Sequence, residues 1–131
     1  MSDPITGASG RTYTALSIDN TLGFPQAFPF NFNGQLYQFR MYVNIDGDLL
    51  ATAAATFTLP ASNAFLVVQV DREDPGGIST TIFLRKVTPE LEYETDTIAL
   101  TFPTQVLAKA SINQTGDFGS DMEGGIAARW A

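Results

Sequence analysis

The chain has 131 residues and carries seven Lys or Arg against fourteen Asp or Glu, a formal net charge of −7, with neither cysteine nor histidine. Those absences exclude disulfides, thiol nucleophiles, thiolate metal sites and Ser-His or Cys-His catalysis, and leave no ordinary zinc or haem ligand set. The scattered basic residues and the acidic balance argue against a nucleic-acid backbone or an anionic membrane surface as partner. Apolar residues make up 44% of the chain and ten residues are Phe, ample material for one domain with a core.

Residues 1–10 (Met-Ser-Asp-Pro-Ile-Thr-Gly-Ala-Ser-Gly) are small and polar apart from Ile5 and read as a flexible arm. No basic segment followed by an apolar run opens the chain, so no signal peptide is expected. A short first strand is predicted over residues 11–18. A hairpin follows at 25–32 and 35–45, because Asn33-Gly34 supplies the two positive-φ positions of a two-residue turn. Counting back from that turn, Phe32 faces Gln35, Phe30 faces Tyr37 and Phe28 faces Phe39. All six side chains then share one face, because strand side chains alternate. Pro25 and Pro29 fall on the opposite parity, where the backbone nitrogen points away from the partner strand. The first strand of the hairpin therefore reads as an edge strand whose free side is closed by proline.

Asp46-Gly47 is a second two-residue hairpin signal. The run Ala51–Ala55 is ambiguous, Thr56–Leu59 returns to alternation, and the window from Leu49 to Leu59 is too short to span a bilayer. Ala64–Val70 is almost continuously apolar, the mark of a strand buried on both faces. Asp71–Gly77 reads as a polar loop. Further strands are predicted at 78–87, 96–102 and 105–112, and residues 125–131 read as a closing strand after a glycine-rich acidic loop at 113–125. The fold class expected is all-β: a single-domain antiparallel sandwich or barrel of about eight strands. The arm is placed at 1–10, the β-domain at 11–112 and a glycine-rich tail at 113–131.

Candidate chemistry is sparse. Asp46 and Asp48 resemble the start of a calcium loop, but the further oxygen ligands and the distal Glu are absent, and the turn reading is preferred. Glu90, Glu92 and Glu94 alternate and could share a strand face, the minimum for carboxylate-based glycoside hydrolysis; a solvated loop or edge is the preferred reading. Asp117-Phe118-Gly119 matches the magnesium tripeptide of kinases without any other kinase element. Asn113-Gln-Thr115 is a glycosylation sequon that matters only on secretion. Phe118 and Met122 are apolar residues in a polar loop, and Trp130 sits one residue from the end. Each must dock, either on this domain or on a neighbouring subunit.

The hairpin segment Phe32-Asn-Gly-Gln-Leu-Tyr-Gln-Phe39 resembles an early hairpin of small tail and baseplate-type structural proteins of tailed bacteriophages, in which an aromatic strand leads through Asn-Gly or Asp-Gly into a Tyr-x-Phe strand. The likeness covers residues 24–45. It implies a non-enzymatic virion subunit without cofactor, made in a host cytoplasm. Its partners would be other virion proteins and copies of itself, reached through Ile5, Phe118, Met122 and Trp130. The alternatives are a capsid decoration protein and a carbohydrate-binding β-sandwich with Tyr37 or Tyr42 as stacking platform.

Overall fold

A computed structural model of the chain describes residues 4–7, 9–45, 56–60, 64–95, 97–112, 115–116 and 118–129. Asn33 and Gly34 hold positive φ values of 52° and 81°, and the hairpin they close joins β3 (Gln26–Phe32) to β4 (Gln35–Ile45). Its register is the expected one: Phe32 opposes Gln35, Phe30 opposes Tyr37, Phe28 opposes Phe39. The stripe faces inward. Phe39 and Tyr37 are buried, Phe28 stacks on Phe39 at 5.3 Å between centroids, and Phe30 meets the same ring edge-on at 6.3 Å. Pro29 opposes Gln38, a position where its nitrogen points to the free side, and β3 is an edge. Pro25 lies one residue before β3 begins.

The remaining strands are β1 (Ile5–Thr6), β2 (Thr12–Ala15), β5 (Thr56–Thr58), β6 (Ala64–Asp74), β7 (Ile78–Val87), β8 (Glu92–Glu94), β9 (Ile98–Ala108) and β10 (Asp121–Ala128), with one 3-10 turn at Lys109–Ser111. They form two antiparallel sheets. One has the order β3-β4-β6-β7. The other runs β1-β2-β10-β9, with β5 and β8 both on the far side of β9. The fold is thus an all-β sandwich with ten strands among the described residues, against about eight expected. The inner faces of both sheets supply one core: Phe39, Met41, Val68 and Val70 from the first, Leu100, Phe102, Leu107, Met122 and Ile126 from the second.

Three boundaries differ from expectation. The segment Asp71–Asp74 belongs to β6, because the turn to β7 needs only Pro75-Gly76-Gly77, the glycines at φ 84° and 77°. Strands expected at 96–102 and 105–112 are one strand, β9, despite Pro103. Pro103 fits because nothing requires its N–H. Opposite it the register with β10 shifts, Phe102 and Pro103 standing against Gly124 alone, and on the other side β8 ends at the pairing with Thr101 while β5 starts at Val106. The loop at 113–125 is shorter than expected, since β10 begins at Asp121. The Asp46-Gly47 turn, Asp48 and the Ala51–Ala55 run lie outside the described residues.

Gly124 stands opposite the bulge in β9. A Cβ there would stand 2.7 Å from the ring of the fully buried Phe102 and 3.2 Å from Ile18. Gly124→Ala is therefore expected to lower stability by about 1–3 kcal/mol through overpacking, measured as a shift of the urea midpoint at unchanged slope. A neutral substitution would show that Phe102 has room to yield.

Candidate functional site

The densest polar cluster sits outside the sandwich, on the outer face of the six-stranded sheet. Tyr13 of β2 shares that face with Ala99 and Ala127, which oppose each other across β9 and β10. Its neighbours are small for a reason: a Cβ on Gly125 would stand 2.6 Å from Tyr13 Cβ. Tyr13 is fully buried against these small residues, and its hydroxyl donates to Glu92 Oε1 of β8 at 2.6 Å.

Glu92 is held from a second direction by the N-terminal segment. Ser9 donates its backbone N–H to Oε2 and its hydroxyl to Oε1, both at 2.8 Å. Gly7 passes so close to Glu92 that a Cβ would collide with the carboxylate at 2.5 Å. Ile5 pairs with Tyr13 and packs on the same cluster. Residues 5–7 and 9–10, expected within a flexible arm, are therefore a short hairpin strapped across the sheet, and Ile5 docks on its own chain. Arg11 closes the cluster: its guanidinium donates to Tyr13 Oη at 3.4 Å, to Glu94 Oε2 at 3.2 Å and to the Arg129 carbonyl at 2.8 Å.

The electrostatics follow from these contacts. The Tyr13 and Ser9 hydrogen bonds hold the Glu92 carboxyl below the usual glutamate range, against a smaller opposing effect of burial. Burial first, and the Glu92 hydrogen bond second, push the Tyr13 phenol up to about 12. A general acid for glycoside hydrolysis needs the reverse, a carboxyl with a raised pKa. Both Glu92 oxygens are already taken by protein donors, and Glu94 faces Arg11 and Arg129 at 3.2 and 4.0 Å. Glu90 lies in the exposed turn before β8. The carboxylates expected to share a face do so at 92 and 94, and the arrangement works as a clamp.

The other sequence-derived residues separate. Met122 is buried in the core of this chain, so it is unavailable to a partner; its N–H and carbonyl are held by the Asn20 side chain at 2.8 and 3.4 Å. Tyr37 is likewise buried, which removes it as a stacking platform. Tyr42 is 39% exposed on the outer face of the four-stranded sheet, beside a hollow of about 340 Å³ lined by Pro25, Ala27, Arg40 and Gln69. Phe118 is 38% exposed. Its ring lies over Gly116, whose added Cβ would meet it at 2.7 Å, and Gly116 donates to the Thr21 carbonyl at 2.7 Å. Thr115 bonds the Leu22 carbonyl at 3.5 Å. Phe118 and the half-exposed Leu22 thereby come to the same end of the sandwich. Trp130, Asp117 and Asn113 lie outside the described residues. Among the described residues no group of three or more acidic side chains is arranged to hold a metal ion.

Comparison with protein-family models, with curated proteins and with solved structures finds no match.

Sequence reasoning missed Ser9, Arg11 and Tyr13. One signal was present: Gly124-Gly-Ile-Ala-Ala128 alternates Ile126 with residues too small to cover a sheet, so a large side chain from elsewhere has to lie there.

The clamp sets two pH limits. Glu92 has a lowered folded pKa, so its stabilisation is complete above its ordinary value of 4.5 and is lost as pH falls through the lower folded value. Tyr13 has a raised one, so its contribution holds below 10.0 and is lost as pH climbs toward about 12. Glu92→Gln is expected to cost about 1–3 kcal/mol, the range for a lost charge-assisted hydrogen bond, and to flatten the acid limb of stability against pH. Amide exchange at residues 5–11 reads the strap directly; exchange unchanged in the variant would show that the strap is held without the carboxylate.

Proposed function

We propose that this chain is a non-enzymatic structural subunit of a tailed-phage-type virion, of the tail or baseplate, that works by assembling as a repeated unit. The observation that carries this reading is the exposure of both Phe118 and Leu22 at one end of a braced sandwich. Phe118 is presented on a short segment fixed by the Gly116–Thr21 backbone bond. A partly exposed aromatic with its backbone already ordered costs little further entropy when a neighbour covers it. The carboxylates that would otherwise suggest chemistry are spent on holding the N-terminal strap. The hairpin segment at 24–45 resembles tail and baseplate proteins, and that resemblance is what suggests the virion.

A second reading, carbohydrate binding, is favoured by one observation: exposed Tyr42 beside the hollow with Arg40 and Gln69. A ring platform with a guanidinium and an amide at its rim is a serviceable sugar subsite. Glycan-array binding that disappears in Tyr42→Ala supports it, and a blank array removes it.

For the assembly reading the variant is Phe118→Ser. Its folding stability is expected to change by about 1–2 kcal/mol, because the ring is partly exposed and packs on Gly116 rather than in the core. Light scattering and electron microscopy of the purified full chain should show higher assemblies for the wild type that the variant fails to form. A variant that assembles like the wild type sinks the reading.

A further inference from the structure

We infer that β7 is the contact strand of a two-fold dimer, pairing antiparallel with β7 of a second copy of this chain and joining two four-stranded sheets into one. This rests on the assembly reading only for the expectation that copies associate.

The first argument is the inventory of edges. β3 is closed by Pro29, β1 has two residues, and β5 and β8 have three each. β7 has ten residues and no proline, and among the described residues only β6 pairs with it. It also carries the two most exposed large apolar side chains described, Ile78 at 62% and Leu84 at 55%. A long strand with a row of unpaired N–H and C=O groups is a template for another strand.

The second argument is the order of faces along β7. Ser79, Thr81, Leu84 and Lys86 oppose Glu73, Asp71, Gln69 and Val67 on the outer face, while Thr80, Phe83, Arg85 and Val87 oppose Arg72, Val70, Val68 and Leu66 on the inner one. The register shift leaves Ile82 as an extra residue, packed inward beside Phe83. A two-fold axis between residues 82 and 83 then sets Ser79 against the second copy's Lys86, Thr80 against its Arg85, Thr81 against its Leu84 and Ile82 against its Phe83. Every pair has both members on one face. A strand of strict alternation lacks this property about an axis between two residues, since odd would meet even; the bulge supplies it.

The third argument is charge. On β6, Glu73 accepts the Ser79 hydroxyl at 2.8 and 2.9 Å, and Asp74 accepts the Thr80 hydroxyl at 2.8 Å. Both carboxylates lean toward the β7 edge at the end where the second copy's Arg85 and Lys86 arrive; Asp74 is already ion-paired with Arg72 at 2.7 Å, so the complementary charge comes from Glu73, on the face where Lys86 arrives. Lysine and a bulge ordinarily protect an edge against pairing. Here the bulge falls at the axis and each basic end meets an acidic one, so the same features select antiparallel self-pairing over other strands.

Sedimentation equilibrium of the full chain carrying Phe118→Ser should show a dimer, weakened at least tenfold by adding Arg85→Glu/Lys86→Glu and weakened by 1 M salt. Since the chain has no cysteine, Thr81→Cys and Leu84→Cys proteins should form a disulfide when mixed under mild oxidation and none when kept apart. A wild type that is monomeric throughout, a dimer indifferent to the charge reversal, or Thr81→Cys linking to itself overturns the proposal. A Phe118→Ser protein that stops at the dimer supports it and leaves the further contact to Phe118. Assembly that persists in the charge-reversed protein but needs Phe118 overturns this contact alone.

Discussion

β9 crosses the middle of the six-stranded sheet with a proline at its centre, and much of this sheet follows from that. A residue's N–H points to one neighbour only, so Pro103 leaves a gap in the pairing of β9 on one side, and the two-against-one bulge interrupts the ladder with β10. On one side the partner is split into β8 and β5, which stop short of the proline from opposite directions. On the other, Phe102 and Pro103 face the single residue Gly124. The bulge also reverses the face pattern. Ile98, Leu100 and Phe102 point into the core before it, and Gln105 and Leu107 after it. Without the reversal, one half of β9 would turn its apolar residues to solvent.

Splitting the partner strand has a consequence on the outer face. β8 is left as a three-residue piece, paired among the described residues with β9 alone, with Tyr93 inward and T-stacked on Phe83 at 5.6 Å, while Glu92 and Glu94 point out. A piece that short needs anchoring from outside the ladder. The anchor is the N-terminal hairpin: Ser9, Arg11 and Tyr13 reach across β10 and β9 to the two glutamates. The crossing is open only because Gly125, Ala99 and Ala127 keep the sheet surface low under the Tyr13 ring. The small residues of β10 and the acidic run of β8 thus form one arrangement, although they are some thirty residues apart in the chain.

Local features were legible in the sequence wherever a strand obeys a single period. The hairpin register and the proline-closed edge at β3 both follow from alternation and turn chemistry. The reading failed at the bulges. A parity change at Phe102-Pro103 looks like two strands, and the start of β10, with Gly124 and Gly125 there to make room, looks like loop. Glu90, Glu92 and Glu94 were recognisable as a group, but Tyr13 was not recognisable as their partner, since that contact depends on strand order. Strand order also decides that Ile5 and Met122 serve this chain's own packing while Phe118 remains at the surface.

The two edges of the four-stranded sheet show how strand order and sequence divide the work. β3 and β7 are both amphipathic edges next to equally long central strands, so geometry alone gives either one the same capacity to add a neighbour. Proline 29 removes that capacity from β3 whatever the partner, because it offers no donor and its ring occupies the free side. On β7 the restraints are charge and a bulge, and these depend on what arrives. A strand bearing acidic residues beside Glu73 and Asp74 is repelled, and one of strict alternation meets the bulge out of phase. A strand that is basic at its far end and bulged at its centre satisfies both conditions, and β7 itself is such a strand. On the proposed pairing, the four-stranded sheet has one edge closed by proline and one selective for its own copy, an arrangement that lets a sheet protein associate with its own kind without polymerising through both edges of that sheet.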